Sequence, residues 1–256
     1  MAKVLVISAH PDDESGFGGG LVAKLASEGN QVTILETTRG EGGEVGVPPV
    51  GSKERLGEFR EVEVRCATRA LGTIDLRFLG FVDPSIEIGQ PGRPVDATME
   101  EFSSSIRREI DQIRPDILIT HGTNGEYGHP QHIFTHQAVR EALRSLAPWY
   151  PGEVLTWCAN AGANAEDRLT NRDDPATFTL ELEGTDWHER KVEAMLCHRS
   201  QHDMFLRNSK APSVRDMVRK TEAYRRWTRA EFLAPLESPA AAPPSDDWRV
   251  PGNQQQ

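Results

Sequence analysis

Apolar residues along this chain follow two rhythms. Short continuous runs, KVLVISA (3–9), QVTILETT (31–38), IDLRFLG (74–80) and DILITHG (116–122), read as strands covered on both faces, because a strand with one wet face would alternate. Between them, apolar residues recur three and four apart, as on one side of a helix. Residues 18–29 carry Leu21, Val22 and Leu25 at that spacing and end at Gly29; residues 53–71 are strongly charged and close at Gly72. Residues 99–113 stop near Pro115, and 130–146 begin with Pro130 in the first helical turn.

Strand followed by helix, four times in succession, predicts a single Rossmann-like α/β domain, mostly parallel sheet with helices on both faces. EVLTWCA (153–159) and TFTLELE (177–183) read as later strands, the second alternating and therefore at an edge. Residues 186–198 and 213–233 read as helices. RGEGGEVGVPPVGS (39–52) is too rich in Gly and Pro for a regular element and long enough to border a site. From residue 236 the chain is rich in proline and poor in large apolar groups, with Trp248 the one residue suited to docking it. The boundaries are therefore a domain over 1–235 and a tail over 236–256.

Composition narrows the partners. There are 29 Lys and Arg against 39 Asp and Glu, a net charge of -10, so a nucleic-acid backbone is repelled. Lys3 precedes too short an apolar run for a signal peptide or a membrane span. A cytoplasmic protein with no membrane partner is expected. Cys66, Cys158 and Cys197 are far apart and form no C-x-x-C pair, and read as reduced thiols.

The chemistry gathers in two turns. AHPDDE (9–14), directly after the first strand, crowds His10, Asp12, Asp13 and Glu14; TNGEYGHPQH (123–132), after the fourth, brings Tyr127, His129 and His132, with His121 just before it. Ligands in open parallel sheets gather beyond the carboxyl ends of the strands, so neighbouring first and fourth strands would face these groups into one space. A single acid near a helix start is usually a cap or a dipole partner. Three in a row after a histidine call for a cation. His10, Asp13 and a histidine of HPQH could bind one and leave a position for water, with Asp12 free to act on that water and Glu14 holding a ligand imidazole. SGFGGG (15–20) invites a dinucleotide reading with Glu36 as the ribose acid, but the third glycine of the fingerprint is missing and three carboxylates would face the pyrophosphate.

AHPDDE followed by YGHPQH resembles the LmbE-like, or PIG-L, family of metal-dependent deacetylases, over roughly residues 3–201. The resemblance implies His10, Asp13 and His132 as ligands of zinc, with iron the alternative in the cell. It implies Asp12 as general base, His129 as oxyanion stabiliser or acid, and Tyr127 at the carbonyl. It also implies Arg60 and Asp83 as substrate contacts. Many relatives have Asp where this chain has Gln131, which bears on His129 and His132 through the lost charge. The implied reaction removes an N-acetyl group from a small-molecule amino sugar or its glycoside, in a protein that could form homo-oligomers. An amidase for larger conjugates such as a sugar–thiol, or a sugar-binding protein organised by a metal, uses the same residues. His198 and His202 are assigned to surface or core.

Overall fold

The structure is a computed structural model that describes residues 1–84, 94–147, 153–159 and 175–235; the expected tail and Trp248 lie outside them. The chain runs β1 (Lys3–Ser8), α1 (Asp13–Gly16), α2 (Gly19–Ser27), β2 (Gln31–Thr38), α3 (Leu56–Leu71), β3 (Asp75–Phe81), α4 (Met99–Ile113) and β4 (Ile117–Thr120). It continues through α5 (Gly125–Gly128), α6 (Pro130–Arg144), β5 (Glu153–Trp157), β6 (Phe178–Glu181), α7 (Asp186–Cys197), α8 (His202–Ser209), α9 (Val214–Met217), β7 (Thr221–Trp227) and α10 (Arg229–Leu233).

Seven strands form one sheet in the order β3-β2-β1-β4-β5-β7-β6. The first five are parallel; β7 runs antiparallel to both β5 and β6. Alternation along β1 builds both sides of the core. Val4 and Val6 pack with residues of α2, α3 and α7, whereas Leu5 and Ile7 pack with α4 and α6, and all four are fully buried. Burial on this scale contributes about 1.5–3 kcal/mol for each such side chain. Helices cover both faces, as the rhythm of the sequence requires. β1 lies between β2 and β4, the point where the strand order reverses and a crevice opens.

Two expectations are corrected. Residues 213–233 are not one helix: α9 and α10 flank β7, which pairs on both sides within the sheet. Its Glu and Arg residues have good helix propensity, but Ala223, Tyr224 and Trp227 are buried against the neighbouring strands, and tertiary packing overrides propensity. Cys66 and Cys197 are not free thiols; they form a disulfide across 131 residues of sequence, linking α3 to α7. Helix packing brings the two together, which spacing alone does not reveal. Cys158 is buried and takes no part in the disulfide. Among the described residues, no helix is long and apolar enough to cross a membrane.

Candidate metal centre

β1 and β4 are parallel neighbours, with Val6 opposite Ile119, so the two polar turns leave the sheet side by side. His10, Asp13 and His132 converge. His10 Nδ1 lies 3.3 Å from His132 Nε2. Asp13 Oδ2 is 3.3 Å from His10 Nδ1, and Oδ1 is 3.3 Å from His132 Nε2. A tetrahedral ion with bonds of about 2.0–2.1 Å separates its ligand atoms by about 3.3–3.4 Å. The three residues therefore fit a small divalent cation, with Asp13 reaching one neighbour through each oxygen. All three are at least nine-tenths buried.

The far nitrogen of each imidazole has an acceptor. His10 Nε2 meets Gln131 Oε1, and His132 Nδ1 lies 2.7 Å from Glu126 Oε2. Placing N–H there turns the lone pairs of His10 Nδ1 and His132 Nε2 toward each other. His121 stacks on His132 with ring centroids 4.1 Å apart, and the ligand atoms also come together in two other groupings, Asp13 with His121 and His132, and His10 with His129 and His132. His121 Nε2 already accepts the Ala9 N–H at 3.0 Å and its Nδ1 contacts Glu126 at 2.7 Å. Both nitrogens are thus used inside the protein. Glu126 was not singled out from the sequence. It is fully buried, joins His121 to His132, accepts from Gly122 N and occupies a left-handed backbone position at φ 62°. Strain of this kind costs about 1–3 kcal/mol and persists where surrounding contacts enforce it. Burial opposes its charge, but His121 and His132 hold its pKa down to about 2.

Asp12 also has a positive φ, 124°. Its backbone N–H donates to Glu14 Oε2 at 2.9 Å, and its Oδ2 accepts from Arg60 at 2.9 Å. Burial pushes its pKa up to about 7 despite Arg60, a value suited to a base at neutral pH. Arg60 is buried rather than solvated, and its terminal nitrogens also donate to the carbonyls of Pro11 and Gly40. Glu14 does not hold a ligand imidazole. It meets His198 Nε2 at 3.3 Å and Ser15 Oγ at 2.5 Å. His198 is fully buried behind the site.

His129 caps α6: its Nδ1 accepts the Gln131 N–H at 3.3 Å, which leaves a proton on Nε2. Burial, followed by His132 and His10, holds its pKa well below the usual imidazole range. Tyr127 packs edge-on, 5.6 Å from His129 and 5.4 Å from His132 between ring centroids. Asp83 is buried beside the 39–52 loop, accepting from Gly42 N at 3.0 Å and from the Gln131 side chain. The expected influence of Gln131 is corrected accordingly: its side chain meets His10 and Asp83, while only its backbone touches His129. The anion site of a dinucleotide fold is also filled from within. Glu222 accepts from Gly20 N at 2.7 Å and Leu21 N at 2.9 Å at the start of α2.

The fold and this site define an α/β protein with a candidate His and Asp metal site in its crevice. A model of the PIG-L family, GlcNAc-PI de-N-acetylase, matches residues 5–143, and the chain belongs to that family. It is 32% identical over 246 residues to a 1D-myo-inositol 2-acetamido-2-deoxy-alpha-D-glucopyranoside deacetylase 1 of Catenulispora acidiphila, covering 79% of this chain and 76% of that protein. A deacetylase of the same substrate name from Thermobispora bispora is 37% identical over 165 residues, 59% of this chain and 54% of that protein, about half its length. The N,N'-diacetylchitobiose deacetylase of Pyrococcus horikoshii shares the fold, with a TM-score of 0.65 at 19% identity over 92% of this chain and 88% of that one.

Proposed function

We propose that this protein is a zinc-dependent hydrolase that removes the N-acetyl group from a small-molecule N-acetylglucosamine glycoside. The observation that carries the proposal is the convergence of His10, Asp13 and His132, with the two ring nitrogens 3.3 Å apart and each 3.3 Å from a different oxygen of Asp13, beside a carboxylate that is not part of it. The names of the relatives support the substrate class. The domain assigned to this chemistry is 1–235, with the cytoplasm as its location. The Cys66–Cys197 disulfide, of a kind rare in reducing compartments, weighs against that location.

His10, Asp13 and His132 would hold the cation. When bound, it supplies Lewis acidity to the amide carbonyl and to water. Asp12 takes the proton of the attacking water, held in place by Arg60 and by Glu14 at its backbone. Of the two duties expected of His129, we assign the oxyanion one. A neutral ring with its proton on Nε2 donates a hydrogen bond where negative charge develops. Tyr127, whose phenol burial keeps protonated, lies against the same ring. Asp12 then carries the proton that the departing amine needs. Arg60 and Asp83, spent on internal partners, shape the site from behind rather than reaching the sugar.

Acetate release across a panel of N-acetyl amino sugars and bulkier N-acyl conjugates, using metal-depleted and zinc-restored protein, tests the proposal. Zinc-dependent release from N-acetylglucosamine glycosides is expected. Turnover confined to bulky conjugates, or none with any metal, would overturn it.

A further inference from the structure

We infer that Asp83 and Gln131 form a hydrogen-bond relay that fixes the tautomer of His10 and so prepares it as a ligand; the inference rests on the metal site proposed above. Asp83, Gln131 and His10 are 7, 3 and 8% exposed, so water does not compete with their contacts. A carboxylate only accepts hydrogen bonds. One oxygen of Asp83 accepts from Gly42 N at 3.0 Å and the other from Gln131 Nε2. The amide of Gln131 must therefore turn its NH2 toward Asp83 and its oxygen toward His10 Nε2. An acceptor at that point demands a proton on Nε2, which leaves the lone pair on Nδ1. That is the atom 3.3 Å from His132 Nε2.

Donation thus runs from His10 Nε2 to Gln131 and from Gln131 to Asp83, which also accepts from a loop backbone N–H, and it leaves the lone pair of His10 Nδ1 facing the metal position. A glutamine amide is nearly symmetric in shape, and its two orientations differ only in what they donate and accept. Asp83 removes that ambiguity. These two are positioning residues: they act through His10 and touch neither substrate nor reacting atoms.

Reversing the polarity tests the relay. In Asp83→Asn the new amide accepts from Gly42 and presents its NH2 to position 131. Gln131 then flips, turning a donor on His10 Nε2 and driving the proton to Nδ1. Zinc affinity, read by competition with a chromophoric chelator, should fall about 10- to 100-fold. The visible spectrum of the cobalt-loaded protein should change with it. The double variant Asp83→Asn with Gln131→Glu restores every donor-to-acceptor match and should recover both readouts. A merely space-filling role cannot produce that recovery. Gln131→Met, which leaves Asp83 untouched, should weaken zinc on its own and covers the case of a misfolded Asp83 variant.

Wild-type affinity in Asp83→Asn, or no recovery in a folded double variant, overturns the relay. His10→Ala separates this from failure of the site itself. If that variant keeps stoichiometric zinc, the ligand assignment falls; if it loses zinc while Asp83→Asn does not, the relay alone falls.

Discussion

Two buried clusters of charge, one at the start of α2 and one at the carboxyl ends of β1 and β4, are solved differently. At the start of α2, Glu222 accepts from two backbone N–H groups, from Lys191 Nζ at 2.7 Å and from Tyr224 OH at 2.6 Å. One carboxylate meets one ammonium, and both its oxygens have partners. At the carboxyl ends of β1 and β4 the account does not close from within. Two imidazole nitrogens, His10 Nδ1 and His132 Nε2, face each other 3.3 Å apart, two acidic residues succeed one another on a strained turn, and one of them is raised to about 7. A satisfied buried charge is architecture. Groups of like polarity held together by contacts from behind mark a site that an external ligand completes.

The largest effect expected from this contrast is on rate. Asp12→Asn keeps the turn, since Asn tolerates positive φ, and keeps all three ligands. Turnover should fall about 10²- to 10⁴-fold, roughly 3–5 kcal/mol in the barrier, while elemental analysis of dialysed protein still finds one zinc. Normal turnover would remove Asp12 from the mechanism. The matching change in the other cluster should act on stability alone. Glu222→Gln leaves Lys191, 1% exposed, without its counter-charge. Unfolding free energy should drop by about 3–5 kcal/mol, with turnover per folded, metal-loaded molecule unaltered. Loss of turnover without loss of stability would merge the two clusters into one functional unit.

The contrast also explains what could be read in advance. The parallel strands, their helices and the residues facing the crevice were legible because each depends on local rhythm or on two dense motifs. Edge placement of β6 followed from its alternation and is observed. The strand β7 was not legible, because its charged residues favour helix and only pairing with β5 and β6 decides otherwise. Glu126 escaped notice for a related reason. It is one acid in a Gly-flanked turn, and its value lies in reaching two rings at once. Glu14 and Gln131 were placed near the site, yet their partners, His198 and the pair His10 and Asp83, depend on packing between segments more than 45 residues apart.

A smaller effect is expected from the disulfide. Cys66 and Cys197 tie α3, which carries Arg60, to the end of α7, just before His198; Arg60 holds Asp12 directly, and His198 meets Glu14, the acceptor of the Asp12 N–H. Closing so long a loop stabilises by about 2–4 kcal/mol. Cys66→Ser should lower the unfolding free energy by that amount in chemical denaturation under oxidising buffer, and should change nothing in protein kept reduced. An equal difference under both conditions would show that packing at position 66, and not the bond, is responsible. Thiol trapping on cell lysis reads which state the protein occupies where it works.

The smallest effect per step, and the one that sharpens the comparison most, is the response of the metal centre to pH. Burial opposes a charge on His132, but Asp13 and Glu126 prevail and push its pKa up to about 10 from 6.5 in the metal-free protein. That charge stabilises the metal-free fold fully below about pH 6.5 and is lost as pH rises through about 10. Metal binding runs the opposite way, because an imidazole ligand must give up its proton. Zinc affinity should therefore tighten about tenfold for each pH unit gained, until the slope fades near 10. Each unit is worth about 1.4 kcal/mol. Calorimetry in buffers of different ionisation enthalpy should register at least one proton released per zinc. Glu126→Gln takes away one of the two carboxylates that hold the proton, so its slope should begin to fade at lower pH; Glu222→Gln should follow the wild type. A zinc affinity independent of pH would mean that the carboxylates around His132 do not hold a proton there, and the two clusters would then differ in their neighbours but not in their electrostatics.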